Sequence, residues 1–423
     1  MSTLNYSNYE NHRPHSLIYQ NLQVVPEAIA ERNNLVIIGS SGGQFDATKY
    51  KGLVPITSTD DINIKIAKNQ APSTSNYLYW AAVYALAAGG GKAFYVLNVA
   101  EDDTDWTKAL KALKTTDRSL FVVPLTFDSK IQKTVVDTCV ELSSAENQKW
   151  KRVYAPVYPN GEDGEIASET ADVIASKLKS FTSAVAVSDS AKQRTMFIWT
   201  AGAKVFNSAS ENADKMDNLS NMYVAAIIGA MRAALLPQQG LSRKTVGTIA
   251  GIPNCYLLFD KADLNKIAVG TSDQGVGTGI CIIAQDDEDS EIYVRHQLTN
   301  DLSRGIMYYE DSVGVNVDVI CYGIKDIVKP YIGQRNNNQE TLIEIRNRVT
   351  DYLLGLTNTG VSLEERRIGP QISRVDLESI IVMLDKDLKD RVIISFDIEI
   401  PLPLNTVVVH VNAFADLDNA ASI

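Results

Sequence analysis

The chain has 423 residues, 45% of them hydrophobic and 22% charged. That is apolar enough for two ordinary domains, or one large elaborated domain, and it excludes wholesale disorder. With 40 Lys+Arg against 51 Asp+Glu the formal charge is -11, which argues against a generic nucleic-acid binder, since such a protein needs a basic surface.

Neither part of the chain is a basic module. Residues 301–423 hold 12 Lys/Arg against 19 Asp/Glu, and residues 1–300 hold 28 against 32. The four cysteines, at 139, 255, 281 and 321, have no CxxC or zinc-ribbon spacing, so free buried thiols are expected. The opening MSTLNYSNYENHRPH is polar and has no apolar h-region. The longest apolar helical block, 77–88, has 12 residues, short of the ~20 that a bilayer requires. A soluble protein made in a cytoplasm, without membrane insertion, is expected.

Residues 1–16 read as a polar arm. Residues 17–25 (LIYQNLQVV) are rich in β-formers and stopped by Pro26, a strand outside any obvious domain. A buried strand is predicted over 35–38, ending at Gly39, and a second over 54–57. Residues 77–88 (YLYWAAVYALAA) read as a helix, with N-cap chemistry from Ser73, Ser75 and Asn76 and a stop at Gly89-Gly90-Gly91. Strands over 93–99, 119–124, 152–157 and 195–199 then alternate with helices over 106–113, 130–142 and 169–181. Such alternation predicts a sheet with helices packed on it. Residues 221–236 form the most apolar helix, closed by Pro237. Residues 264–297 read as short strands among glycines, with DDEDSE at 286–291 as an acidic turn. From 301 the texture changes to long helices, 316–331 and 340–356. The second carries Leu342, Ile345, Val349, Leu353 and Leu356 on one stripe. The end is β-rich, with strands over 392–400 and 406–411 (TVVVHV). No internal repeat is visible.

Every catalytic template fails on spacing or context. Gly39-Ser40-Ser41-Gly42-Gly43 matches G-x-S-x-G after a strand, but QFDATKYKGLVP follows where a nucleophile elbow needs a helix. Gly89-Gly90-Gly91-Lys92 follows a helix and precedes a strand, the reverse of a P-loop, and lacks its outer glycine and its Ser/Thr. Gly275, Gly277 and Gly279 are not followed by a helix start, and DDEDSE lacks the glycine of an EF-hand loop. His12, His15, His296 and His410 belong to no ligand cluster. No catalytic, cofactor or metal residue is expected. Both termini carry a strand detached from a core, and such strands can add to the edge of a neighbour's sheet.

One ordered series of segments, LVIIGSSGG…VPITS…YLYWAAVYALAAGGGKAFYVLNV, resembles the N-terminal core of contractile-tail sheath proteins from myophages and related injection machines. That core has a strand ending in Gly, a P-x-x-x-T/S segment, a Tyr-rich helix, a paired-Gly turn and a strand of the yvvrv type. The order continues through residues 223–236, 241–251 (LSRKTVGTIAG), 264–279, 293–300 (YVRHQLTN), 340–360 and 398–411, covering about 35–415. Asn98 replaces the usual Arg of the strand, Ala88 stands where Asn often precedes the glycines, and Ser242-Arg243-Lys244 replaces PAN. These departures indicate a divergent branch.

The resemblance implies a mixed α/β (α+β) fold: an N-terminal arm (1–25), an outer α/β domain (26–300, βαβ-like over about 100–210), an inner C-terminal α+β domain (301–403) and a C-terminal strand and arm (404–423). It implies a subunit of a helical cylinder that wraps a tail tube and shortens to drive the tube through a host envelope. Neighbours would exchange strands through Leu17, Ile18, Tyr19, Leu22, Val24 and Val25 and through Val407, Val408, Val409 and Val411. The family grips its tube through the inner domain, often by a charged helix. Here that points to Arg346 and Arg348, about 160° apart around the helix, with Arg366 and Arg367 as the substitute pair. Implied partners are other copies of the chain, a tail tube protein, and baseplate and tail terminator proteins, within a phage-tail virion and without nucleic acid or cofactor. The alternatives are a tube or baseplate protein, the sheath of a secretion or injection system, and a serine hydrolase using Ser41.

Overall fold

The computed structural model describes residues 34–404 apart from 117–119, 159–169, 201–202, 207–215, 219, 247–253, 256–258, 271–278, 286–290, 359–365, 367 and 387–390. The arm strands at 17–25 and 406–411, Arg367 and most of the DDEDSE turn lie outside the described residues.

Continuous apolar runs in the sequence become strands covered on both faces. Leu35–Gly39 (β1), Phe121–Pro124 (β4), Arg152–Pro156 (β5), Thr195–Thr200 (β6) and Ile280–Ala284 (β10) are buried at every residue. With Phe94–Asn98 (β3) they form the parallel centre of an eight-stranded sheet, in the order β10-β6-β5-β4-β1-β3. Antiparallel strands close its two sides: Val54–Ile56 (β2) beside β3, and Tyr293–Val294 (β11) beside β10. The double burial explains why these strands read as solid runs and not as alternating patterns. A small sheet of Ala203–Phe206 (β7), Met216–Asn218 (β8) and Asn254–Cys255 (β9) stands apart.

Helices cover both faces. Tyr77–Ala88 (α2) and Asn221–Ala234 (α7) share one core with the sheet. Thr107–Lys114 (α3), Ser129–Leu142 (α4), Ala171–Val185 (α5) and Lys261–Val269 (α8) share the other. Helix α7 is buried along almost its whole length, and it approaches so closely that a Cβ on Gly229 would lie 2.8 Å from Val123. Asn76 caps α2 by accepting from the Tyr79 amide. Gly90 and Gly91, both at positive φ, turn the chain back, and Lys92 donates to the Ala233 carbonyl at the end of α7. The GGGK run is therefore a turn with a helix C-cap, where a cation is favoured. Ser41 is likewise held in a turn, buried, with its Oγ accepting from the Phe45 amide at 3.1 Å.

Several short elements differ from the sequence reading. Residues 264–269, expected as strand, lie in helix α8, because Asp260 accepts from the Asp263 amide and Gly270 at φ 78 ends the helix. Thr59–Lys65 (α1) and Asp189–Arg194 (α6) are likewise capped by Ser58 and Ser188. In the C-terminal part, Ile306–Tyr309 (α9) leads into Asp311–Val328 (α10), which starts five residues before the expected helix. Gln339–Leu356 (α11) follows. Arg374–Leu384 (β12), unanticipated as a strand, pairs with Val392–Glu399 (β13) as a hairpin.

Cys139 and Cys281 are free buried thiols, as expected, and Cys321 is free and half-buried: burial pushes Cys139 up to about 12, Cys321 up to about 11, and Cys281 higher still. The starts of β6 and β10 are zipped to the segment before α9: the Asn300 backbone amide donates to the Thr195 carbonyl at 2.9 Å, and a Cβ on Gly279 would lie 1.8 Å from the Thr299 carbonyl. Gly279→Ala is therefore expected to force a backbone shift and cost about 1–3 kcal/mol in urea denaturation. An unchanged midpoint would show that this approach is not close.

Candidate functional site

Helix α10 carries two apolar stripes. Val315, Val319 and Tyr322 belong to the core of the large sheet. Ile320, with Ile324 and Ile327, belongs to a separate C-terminal core with Ile345, Val349, Tyr352 and Leu353 of α11 and Ile380 of β12. One rigid helix thus serves two cores. A Cβ on Gly323 would lie 2.0 Å from the Tyr352 hydroxyl, which fixes how closely α10 and α11 pack.

Between the stripes α10 presents Asp311 and Asp318, two helical turns apart and both buried. The Arg152 Nε donates to Asp318 at 2.8 Å. Arg194 donates to both oxygens of Asp318, each at 3.1 Å, in fork geometry. Asp311 accepts from the Tyr154 hydroxyl at 2.6 Å and lies 3.5 Å from Arg152 and 3.8 Å from Arg232. Gly314 leaves the space that the Arg152 guanidinium fills, since a Cβ there would lie 2.0 Å from its Nη2. Burial raises the Asp311 carboxyl above its ordinary range, and Arg152 and Arg232 restrain the rise. Burial and Asp311 keep the Tyr154 phenol a neutral donor, raised well above its usual value.

The chain enters α10 through further buried polar contacts. Glu310, fully buried, lies 3.0 Å from the His296 Nε2 and accepts from the Gln297 amide group. Gln297 also donates to the Ser312 hydroxyl at 2.9 Å and accepts from the Leu241 amide at 2.6 Å. This junction is not anticipated in the sequence analysis. Its signal was single charges inside apolar runs: Arg232 in AIIGAMRAALL, and Asp318 in VGVNVDVIC.

What the junction holds is the hairpin. Among the described residues the large sheet offers little open edge. Strand β2 is three residues long and contains Pro55, whose carbonyl accepts from Lys65. Strand β11 is covered by residues 243–246, through the Arg243 amide to Val294, the Val246 amide to Ile292 and the Val294 amide to Lys244. The β12–β13 hairpin differs. Helix α11 covers one of its faces, but among the described residues neither strand has a second partner. Two open edges on a strongly apolar hairpin are an invitation to pair with another chain.

The arginines expected to face a tube sit on this unit. Ile345, Val349 and Leu353 of α11 are buried as the stripe implies, with Tyr352, while Leu342 and Leu356 are half-buried. Arg346 is exposed, and its Nε donates to the Ile380 carbonyl at 2.9 Å. Arg348 is exposed, 3.4 Å from Glu344 and over the Tyr331 ring at 5.7 Å. Arg366 is exposed. Among the described residues no His/Cys/Asp/Glu group could hold a metal ion, and no helix is long and apolar enough to cross a membrane.

No protein-family model matches the chain, and no curated protein matches it in sequence. Solved structures match over nearly the whole length. The sheath tail protein Lin1278 of Listeria innocua matches with TM-score 0.61 and 11% identity, covering 90% of this chain and 96% of its own. A chain of the anti-feeding prophage baseplate matches with TM-score 0.61 and 12% identity, covering 91% and 94%. A chain of the PVC sheath complex, an extracellular contractile injection system in its contracted state, matches with TM-score 0.59 and 13% identity, covering 92% and 93%. The chain has the mixed α/β fold of contractile tail sheath proteins.

The junction predicts an order of costs. Asp318→Asn removes the partner of two arginines and should cost about 3–5 kcal/mol. Asp311→Asn keeps polar contacts to Tyr154 and should cost about 1–3 kcal/mol. A carboxyl raised by folding stabilises most below its unfolded value, and that contribution is lost as pH rises through the raised one. Urea denaturation across this window should show the loss in the parent and not in Asp311→Asn. Equal costs for the two variants would contradict the geometry.

Proposed function

We propose that the chain is the subunit of a contractile sheath, which polymerises around a tail tube and shortens to drive it through an envelope. The observation that carries this is the open-edged hairpin, held rigidly on a fold shared with sheath proteins over nine-tenths of the chain. In this reading residues 26–300 form the outer domain and 301–403 the inner one. Its partners are its own copies, a tail tube protein, a baseplate and a terminator, within a phage tail. The injection-system chains among the structural matches support the neighbouring reading, the sheath of an injection system. No catalysis is assigned: Ser41 is buried and bonded inside its turn.

The hairpin edges receive the arms of neighbouring copies in this reading. Leu17, Ile18, Tyr19, Leu22, Val24 and Val25 add along one edge, and Val407, Val408, Val409 and Val411 along the other. Each strand would form about six backbone hydrogen bonds, worth ~0.5–1.5 kcal/mol net apiece. Deleting 1–25 or 404–423 should leave a folded chain that no longer polymerises, read by circular dichroism and negative-stain microscopy. A truncated chain that still makes wild-type cylinders would remove that arm from the assembly.

Tube contact falls to Arg346 and Arg348 or, as the substitute pair, to Arg366 and Arg367, each an ion pair of ~0–1 kcal/mol repeated at every subunit. Arg346 and Arg348 also have partners within the unit, the Ile380 carbonyl and Glu344. Reversing a pair to Glu should lower tube-templated extended sheath while free sheath still forms. If both reversals leave the templated form at its usual yield, these arginines do not face the tube.

A further inference from the structure

The hairpin has a second face, turned away from α11. The register places Met383 opposite Ile393, Ile381 opposite Ser395, Asp376 opposite Asp397 and Arg374 opposite Glu399 on it. Ile381 and Met383 are 46% and 44% exposed, so one end of the face is apolar. The other end is acidic. Asp376 and Asp397 stand directly across the strands, an arrangement that is destabilising for like charges, and Glu378 and Glu399 are exposed beside them. Among the described residues the one cation in contact is Arg374, 3.7 Å from Glu399. A sheet face with this pattern fits a partner carrying a small apolar knob flanked by positive charge.

The same chain presents such a knob. In the loop between α10 and α11, Ile332 is 74% exposed, with Lys329 and Arg335 exposed on either side. Neither cation is in an ion pair among the described residues. The loop is not loose: Tyr331 is buried beneath it and donates its hydroxyl to Glu344 of α11 at 2.7 Å, and Gly333 at φ 71 makes the turn. Because the loop is anchored to α11, it lies on the covered side of the hairpin. A copy cannot seat its own loop on its own outward face.

We propose that the outward face of β12–β13 docks on the 329–335 loop of a second copy. Ile332 would lie against Ile381 and Met383, and Lys329 and Arg335 against Asp376 and Asp397. Two different complementary patches on one chain make a heterologous contact, which propagates as an open helix instead of closing as a dimer. The contact is distinct from strand exchange, which uses the edges of the hairpin and not its face. It rests on the reading of the chain as a polymerising subunit.

The test is a charge swap in the full chain. One variant carries Asp376→Lys and Asp397→Lys, another Lys329→Glu and Arg335→Glu, and a third all four changes. All four positions are exposed, and thermal unfolding checks that each variant stays folded. Each double reversal should lower pelletable polymer at least tenfold at moderate salt, and the fourfold variant should restore it. An equimolar mixture of the two double variants should also pellet, because each offers the patch that the other lacks. The contact is overturned if either double variant polymerises like the parent, or if both the fourfold variant and the mixture stay soluble. It is also overturned if the Asp376/Asp397 reversal impairs only assembly on a tube. A parent chain that stays monomeric at high concentration would overturn the sheath reading itself, and this contact with it.

Discussion

Two carboxylates on one helix, buried among three arginines, decide how this molecule is put together. Asp311 and Asp318 lie on the side of α10 that meets the large sheet, and Arg152, Arg194 and Arg232 come from three separate elements to reach them. Taking such charges out of water is costly, and the cost is recovered only in one geometry. An apolar interface would tolerate sliding; this one does not. Gly314 sharpens the constraint, because any side chain there would displace the Arg152 guanidinium. Since α10 also lends Ile320, Ile324 and Ile327 to the C-terminal core, the helix transmits that fixed orientation to α11 and to the hairpin.

The consequence is a division of labour between closed and open β structure. The eight-stranded sheet is finished at both sides, by a proline-containing strand of three residues and by the backbone of 243–246. Among the described residues it leaves a neighbour only the short outer side of that three-residue strand. The hairpin is finished on neither edge among the described residues, yet it is oriented by the junction as firmly as the sheet itself. A sticky element on a rigid mount suits a repeating assembly, where a small angular error in one subunit would accumulate along the polymer. Individually weak contacts suffice in such a lattice, because each is repeated at every subunit.

Much of the fold was legible in the sequence because local chemistry and tertiary structure agree. Residues 77–88 form the expected helix from Asn76 to Gly89, since the cap, the apolar content and the glycines all point one way. The parallel strands read as apolar runs because they are buried on both faces. The misreadings have physical causes. Residues 264–269 sit beside a glycine-rich stretch that suggested strands, while a single Asp cap decides for helix. Strand β12 escaped because Asp376, Glu378 and Ser379 interrupt its apolar residues and a register shift between Asp376 and Ile381 breaks the alternation. The site was only half legible. Periodicity shows that α11 packs against something, but not that Arg346 turns to the Ile380 carbonyl. The ionic junction joins residues up to 166 positions apart, and no local pattern reports such pairing.

The most direct measurement is a helical reconstruction, at side-chain resolution, of the polymer proposed for the full chain. The account predicts that the β12–β13 hairpin becomes the centre of a four-stranded sheet whose outer strands come from other copies and read as residues 17–25 and 406–411. It also predicts that Arg152, Arg194, Asp311 and Asp318 keep the contacts seen in the single chain. A polymer whose hairpin edges face solvent, or one in which α10 has pulled away from the arginines, would contradict it.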